Sequence, residues 1–152
     1  MTAEANSILP LILGRLGLRA AIDVLLKLIH SQAVPVLLYG ISALTLTNTE
    51  LQGFCNAYNN IYYKIFRSFD KGTVLYCQWY CGFWPFELLY HYHRYNFLHK
   101  LVVSECLDSK LDLDNPDYLD YVNIQNKYAI QSNDSIAKIR YKFWLYFESI
   151  LQ

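Results

Sequence analysis

From Leu28 to Thr49 the chain runs without an aspartate, glutamate, lysine or arginine, and a proline, Pro35, stands inside the most apolar part of that run. Proline lacks the amide donor that a helix needs, and its ring clashes with the carbonyl of the preceding turn. A helix entering this stretch must therefore kink or restart at Pro35 before continuing through Leu38 towards Gly40. Upstream, Ala21, Ile22, Leu25, Leu26, Leu28, Ile29 and Ala33 recur at intervals of three and four, which predicts a helix from Leu18 to about Ala33 with one buried face. Asp23, Lys27 and Ser31 mark its wet side. His30, Ser31, Gln32 and Pro35, with the Thr/Asn cluster at the end, leave the strictly apolar part shorter than a membrane span requires, so a crossing is not expected.

Downstream, Thr47 or Asn48 followed by Glu50 and Gln52 forms a helix-start signal. The helix it opens, read from Leu51 to Phe69, has two faces. Phe54, Tyr58, Ile61, Tyr62, Ile65 and Phe69 fall at helical spacing on the side expected to be buried. Asn56, Asn60, Tyr63, Lys64, Arg67 and Lys71 fall on the other. Gly72 is expected to end this helix, Val74 to Tyr80 to form a short one closed by Gly82 and Pro85, and Phe86 to Cys106 a long one. The acidic run Asp108 to Asp120, which holds Asn115-Pro116, reads as a solvated linker. Two helices, Tyr118 to Ile130 and Ser135 to Leu151, should follow it. The prediction is an all-α chain, an irregular bundle of about six helices. Its divisions are a helical domain over 1–107, an acidic linker over 108–117 and a helical extension over 118–152.

A chain of 152 residues can bury one core, and 54% hydrophobic against 17% charged residues excludes a disordered chain. Fourteen tyrosines and three tryptophans make that apolar fraction amphipathic, so some aromatic surface should face a partner. Thirteen basic residues balance thirteen acidic ones, which excludes a wholly basic nucleic-acid binder. The balance is uneven along the chain: Tyr58 to Lys100 carries five basic and two acidic residues, whereas five basic and seven acidic residues follow Leu107. Cys55, Cys77, Cys81 and Cys106, with no cleavable apolar leader, predict free thiols in a reducing, intracellular compartment, cytoplasmic or nuclear.

Catalytic patterns are thin. Cys77 and Cys81 with His91 and His93 have the ligand types of a zinc site, but four-residue spacing beside Gly82, Trp84 and Pro85 suits packing better than tetrahedral ligation. His91, His93 and His99 beside Arg94 and Lys100 read as a wet helix face, since no serine or cysteine stands in an activating motif. Asp112, Asp114, Asp117 and Asp120 flank a proline and read as loop. No catalytic residue, metal, cofactor or small-molecule substrate is expected. The stripe Asn56, Asn60, Tyr63, Lys64, Arg67 and Lys71 carries the functional expectation. Amides and hydroxyls bond sugar and phosphate oxygens, cations displace counterions, and tyrosine rings pack on sugars, so such a helix can track a duplex.

From Ala20 to about Cys106, "AVPVLLYGISALTLTNTELQGF" and then "VLYCQWYCGFWPFELL" resemble the region after the polymerase palm in reverse transcriptases of non-LTR (LINE-type) retrotransposons. The matching pieces are Pro35 to Gly40, Thr45 to Thr49, the aromatic and basic helix Phe54 to Phe69, and Tyr76 to Phe83; Ser42 departs from the carboxylate expected there. The resemblance implies a thumb and connection that help hold an RNA–DNA or RNA duplex for RNA-directed DNA synthesis. The partner it implies is a palm domain preceding this region. Such enzymes use paired palm carboxylates to hold two divalent ions, and this chain has no adjacent aspartate pair, so it is expected to be inactive alone. The apolar segment Ala3 to Leu16, interrupted by Pro10, is read as a short or kinked helix whose packing partner lies ahead of it. The alternatives are a helical protein-interaction module presenting its aromatics, or a small membrane-associated protein.

Overall fold

The computed structural model describes residues 22–103 and 115–152. The helices are α1 (Ile22–Leu28), α2 (Val34–Ile41), α3 (Asn48–Phe66), α4 (Lys71–Tyr80), α5 (Phe86–Val103), α6 (Pro116–Lys127) and α7 (Ile136–Ser149). A π turn, Ile29–Ala33, joins α1 to α2 in one rod, so six helical bodies and no strand make up the described residues. The all-α bundle expected from the sequence is thus the architecture. The apolar segment 3–16 and the acidic run 108–114 lie outside the described residues.

Pro35 acts as expected, with a particular local solution. The rod widens just before it: the Val34 amide donates to the Ile29 carbonyl five residues back, and Pro35 takes one of the first two positions of α2. An extra residue in the turn moves the backbone out of the way of the ring, and the missing amide falls at this widened turn instead of inside a regular α-helical stretch. Thr47 is the helix start chosen from the two candidates. Its side chain accepts from the Glu50 amide while Glu50 accepts from the Thr47 amide, a complete capping box.

The end of α3 differs from the sequence reading. The helix stops at Phe66 because Arg67 turns into the left-handed region with φ of 52°. Asp70 then caps α4, accepting from the Thr73 amide at 2.6 Å. Phe69, assigned to the buried stripe, is consequently carried out into solvent at 90% exposure, and Ile65 is only half-buried. Lys71 becomes the first residue of α4 rather than a continuation of the α3 face.

Two core clusters share α5. The first joins Leu26, Ile29, Val34, Leu38 and Ile41 of the rod to Phe54, Tyr58, Ile61 and Tyr62 of α3, with Val74, Phe86 and Tyr90. The second gathers Trp84, Leu88, Tyr95 and Leu98 against Tyr121, Ile124, Tyr128 and Ile130, and against Ile139, Phe143 and Phe147 of α7. At 3.6 residues per turn, Leu88 and Tyr95 lie on the side of α5 opposite Phe86 and Tyr90, so this helix is buried from both directions. That double burial is why α5 shows no clean polar stripe.

It also corrects the reading of His91, Arg94 and His99 as a wet face. Arg94 is fully buried, His91 and His99 are half-buried against Tyr128 and Tyr121, and only His93 and Lys100 of that set are exposed. Asp117 and Asp120, read as part of a solvated linker, belong to α6 and pair with Arg94 at 2.5 and 2.9 Å.

Candidate nucleic-acid interface

Burial of Phe54, Tyr58, Ile61 and Tyr62 on one side of α3 determines what the other side presents. Asn56, Asn60 and Lys64, spaced by four, form an exposed stripe about 12 Å long at 1.5 Å per residue. Arg67, in its left-handed position, stands exposed just past the end of this stripe. Tyr63 is half-buried, its ring 6.3 Å from that of the exposed Phe69. Lys71 does not extend the stripe: its charge acts on the Cys55 thiol and the Glu87 carboxylate, near the start of α5.

The stripe is chemically open. Gln52 donates to the Asn56 side-chain oxygen at 2.9 Å, which leaves that amide's own donors outward. Among the described residues neither Lys64 nor Arg67 forms an ion pair. The acidic residue nearest in sequence, Glu50, is tied into the capping box, where its bonds to Thr47 hold its carboxyl below the usual range. The face therefore offers amide donors and, along α3 and just past its end, two cations with no ion-pair partner among the described residues, an arrangement suited to phosphate and sugar oxygens.

Two thiols are held in their protonated form. Burial, reinforced by Glu87, pushes the Cys55 thiol up to about 11, and burial also raises Cys81. His91 is engaged with the Tyr128 hydroxyl at 2.7 Å, and no group of three or more potential metal ligands gathers among the described residues.

Two polar clusters escaped the sequence reading. In one, Arg94 reaches Asp117, Asp120, Thr45 Oγ1 and the Ser42 carbonyl, while the Tyr90 hydroxyl donates to the Leu44 carbonyl and accepts from the Leu46 amide. Together they pin the segment between α2 and α3 to α5 and α6. In the other, the imidazole of His30 meets the hydroxyls of Tyr62 and Tyr58 at 2.6 and 3.3 Å and stacks on Phe83 with ring centres 3.7 Å apart. No sequence motif announces either cluster; bonded partners from different elements lie 23 to 72 residues apart.

The stretch Val24–Ile41 is long and apolar enough to cross a membrane by length and composition, and in the fold a third of it is buried. An open groove of about 570 Å³ lies between α4 and the chain's last residues, lined by Tyr76, Trp79, Tyr80, Glu148, Leu151 and Gln152. Comparison of the chain with protein-family models, with curated proteins and with solved structures found no match.

Proposed function

We propose that this chain serves as the thumb and adjoining connection of a non-LTR retrotransposon reverse transcriptase, with the outer face of α3 lying along the template–primer duplex. The observation that carries the reading is the exposure of Asn56, Asn60, Lys64 and Arg67 on the face opposite a tightly packed core, with both cations left unpaired among the described residues. The order of motifs from Pro35 to Phe83 supplies the parentage, and nucleotide transfer belongs to a separate palm. The role of this chain is then to hold the duplex through backbone contacts, independent of base sequence.

The test is a salt titration of RNA–DNA hybrid binding by the wild type and by a Lys64→Glu/Arg67→Glu double variant. Loss of both cations should weaken binding for every sequence and reduce the slope of log affinity against log salt by about two phosphate contacts' worth. Equal affinities and slopes would remove α3 from the interface.

A second reading, a protein-interaction module, draws on the exposed aromatics Tyr39, Phe69 and Tyr80, at 89%, 90% and 78% exposure. Hybrid-duplex binding that is absent at low salt, alongside a folded chain, would favour it.

A further inference from the structure

The His30 cluster has a direction that follows from donor accounting. A carbonyl oxygen can only accept, so the Tyr58 hydroxyl donates its single proton to the Trp84 carbonyl, 3.1 Å away. The Tyr58 oxygen then accepts from the Tyr62 hydroxyl at 2.8 Å, and the Tyr62 oxygen accepts in turn from His30 Nε2 at 2.6 Å. The reverse direction, from Tyr58 through Tyr62 to His30 Nε2, would give up the bond to the Trp84 carbonyl. The assignment that keeps all three bonds makes the imidazole the Nε2–H tautomer and leaves Nδ1 its lone pair.

The chain of bonds ties three parts of the fold together: the π turn, α3 and the turn before α5. Among the described residues, the bonds of His30 are the only polar side-chain bonds from Ile22–Ala33 to another helix. The rest of that half-rod is held by apolar contacts of residues such as Leu26 and Ile29. The groups facing the imidazole are the phenols of Tyr58 and Tyr62 from α3, and Phe83 and the Trp84 carbonyl from the turn before α5. The Cys81 thiol lies near Tyr62. On the rod itself, Lys27 is exposed. Among the described side chains, none of these carries a negative charge at neutral pH that could pair with an imidazolium.

We propose that His30 is an acid-sensitive clasp, in which protonation of Nδ1 places an uncompensated charge against α3 and releases the amino-terminal half of the rod while the remaining bundle stays folded. His30 stands in the π turn with its imidazole against the two phenols, and in the Nε2–H tautomer Nδ1 is the nitrogen that takes the proton. Burial alone holds this imidazole down to about 4 from an ordinary 6.5. Opening is therefore favoured progressively as pH falls from about 6.5 to about 4, and unaffected above that range.

The experiment is amide hydrogen exchange of residues 24–33, expressed as protection factors between pH 7 and pH 4, with nitrogen NMR of the histidines. The wild type should lose protection in this segment by roughly 100-fold across the range, beyond any loss that α7 shows through His91. His30→Gln, whose amide still donates to Tyr62 but does not titrate, should keep the segment protected throughout. His91→Gln, altered on the far side of α5, should leave the acid response of the segment as in the wild type. If His30→Gln opens with acid as the wild type does, the clasp is wrong. Should that variant fail to fold, the wild-type NMR decides alone: an Nδ1–H tautomer at pH 7, or titration of His30 near 6.5, overturns the proposal.

Discussion

Arg94 Nη2 lies 2.6 Å from the Thr45 hydroxyl, across 49 residues of sequence, and the same guanidinium nitrogen holds Asp117 at 2.5 Å. One buried cation thus joins the segment after α2 to the start of α6. A guanidinium can do this because its fixed fork of donors serves several acceptors at once, and two carboxylates compensate its charge.

Replacing Arg94 by leucine should therefore destabilise the fold by about 3 kcal/mol, the lower end for a broken buried pair. Asp117 and Asp120 retain some solvent at 41% and 23% exposure, which tempers the loss. Urea unfolding monitored by circular dichroism measures it. A change below about 1 kcal/mol, the scale of a surface pair, would mean that the cluster contributes no more than exposed charges do.

The two faces of α3 should respond oppositely to substitution. Ile61 is 5% exposed, so Ile61→Ala should cost about 2 to 5 kcal/mol through the cavity it leaves. Ile65→Ala should cost less, because its side chain is only half-buried. Lys64→Glu/Arg67→Glu should stay within about 0.5 kcal/mol of the wild type. Thermal unfolding of the three variants, compared at one salt concentration, gives the ranking.

Thr47→Ala removes both the hydroxyl that accepts from the Glu50 amide and one of the two Thr47 donors that hold the Glu50 side chain. Loss of the capping box should lower stability by about 1 kcal/mol, while Thr49→Ala, the second residue of the helix and exposed, should be nearly neutral. Equal effects of the two variants would show that the cap does not stabilise α3.

Acid should also weaken the second half of the bundle through His91. Burial pushes its imidazole down to about 4, and Lys127 pushes the same way, against the opposing pull of Glu87 and Asp120. The unfolded chain binds this proton near pH 6.5 and the folded chain does not until about pH 4. Stability is thus full above about 6.5 and declines as pH falls between those values. Chemical denaturation at a series of pH values should show this decline, and His91→Gln should flatten it.

On the proposed function, the isolated chain should incorporate no nucleotide on any primed template with magnesium or manganese, because the carboxylate pair that clamps two metal ions belongs to the palm. Primer extension with purified protein is the assay, and robust extension would contradict the division of labour.

Local signals in the sequence were enough for the all-α class, the break at Pro35, the start of α3 and the buried stripe Phe54, Tyr58, Ile61 and Tyr62. Each depends on interactions within a few residues: a missing amide, a cap three residues away, a spacing of three or four. The outward stripe Asn56, Asn60 and Lys64 was legible for the same reason. Only the tertiary structure decided that α3 ends at Arg67, which sends Phe69 outward and moves Lys71 to another helix, since a left-handed arginine has no sequence signature. Only packing on both sides of α5 decided that Arg94 is internal while the neighbouring His93 is exposed. The His30 chain and the Arg94 cluster were invisible to a sequence reading because their energies come from desolvated partners brought together over tens of residues, and no local pattern encodes which distant group a polar side chain will meet.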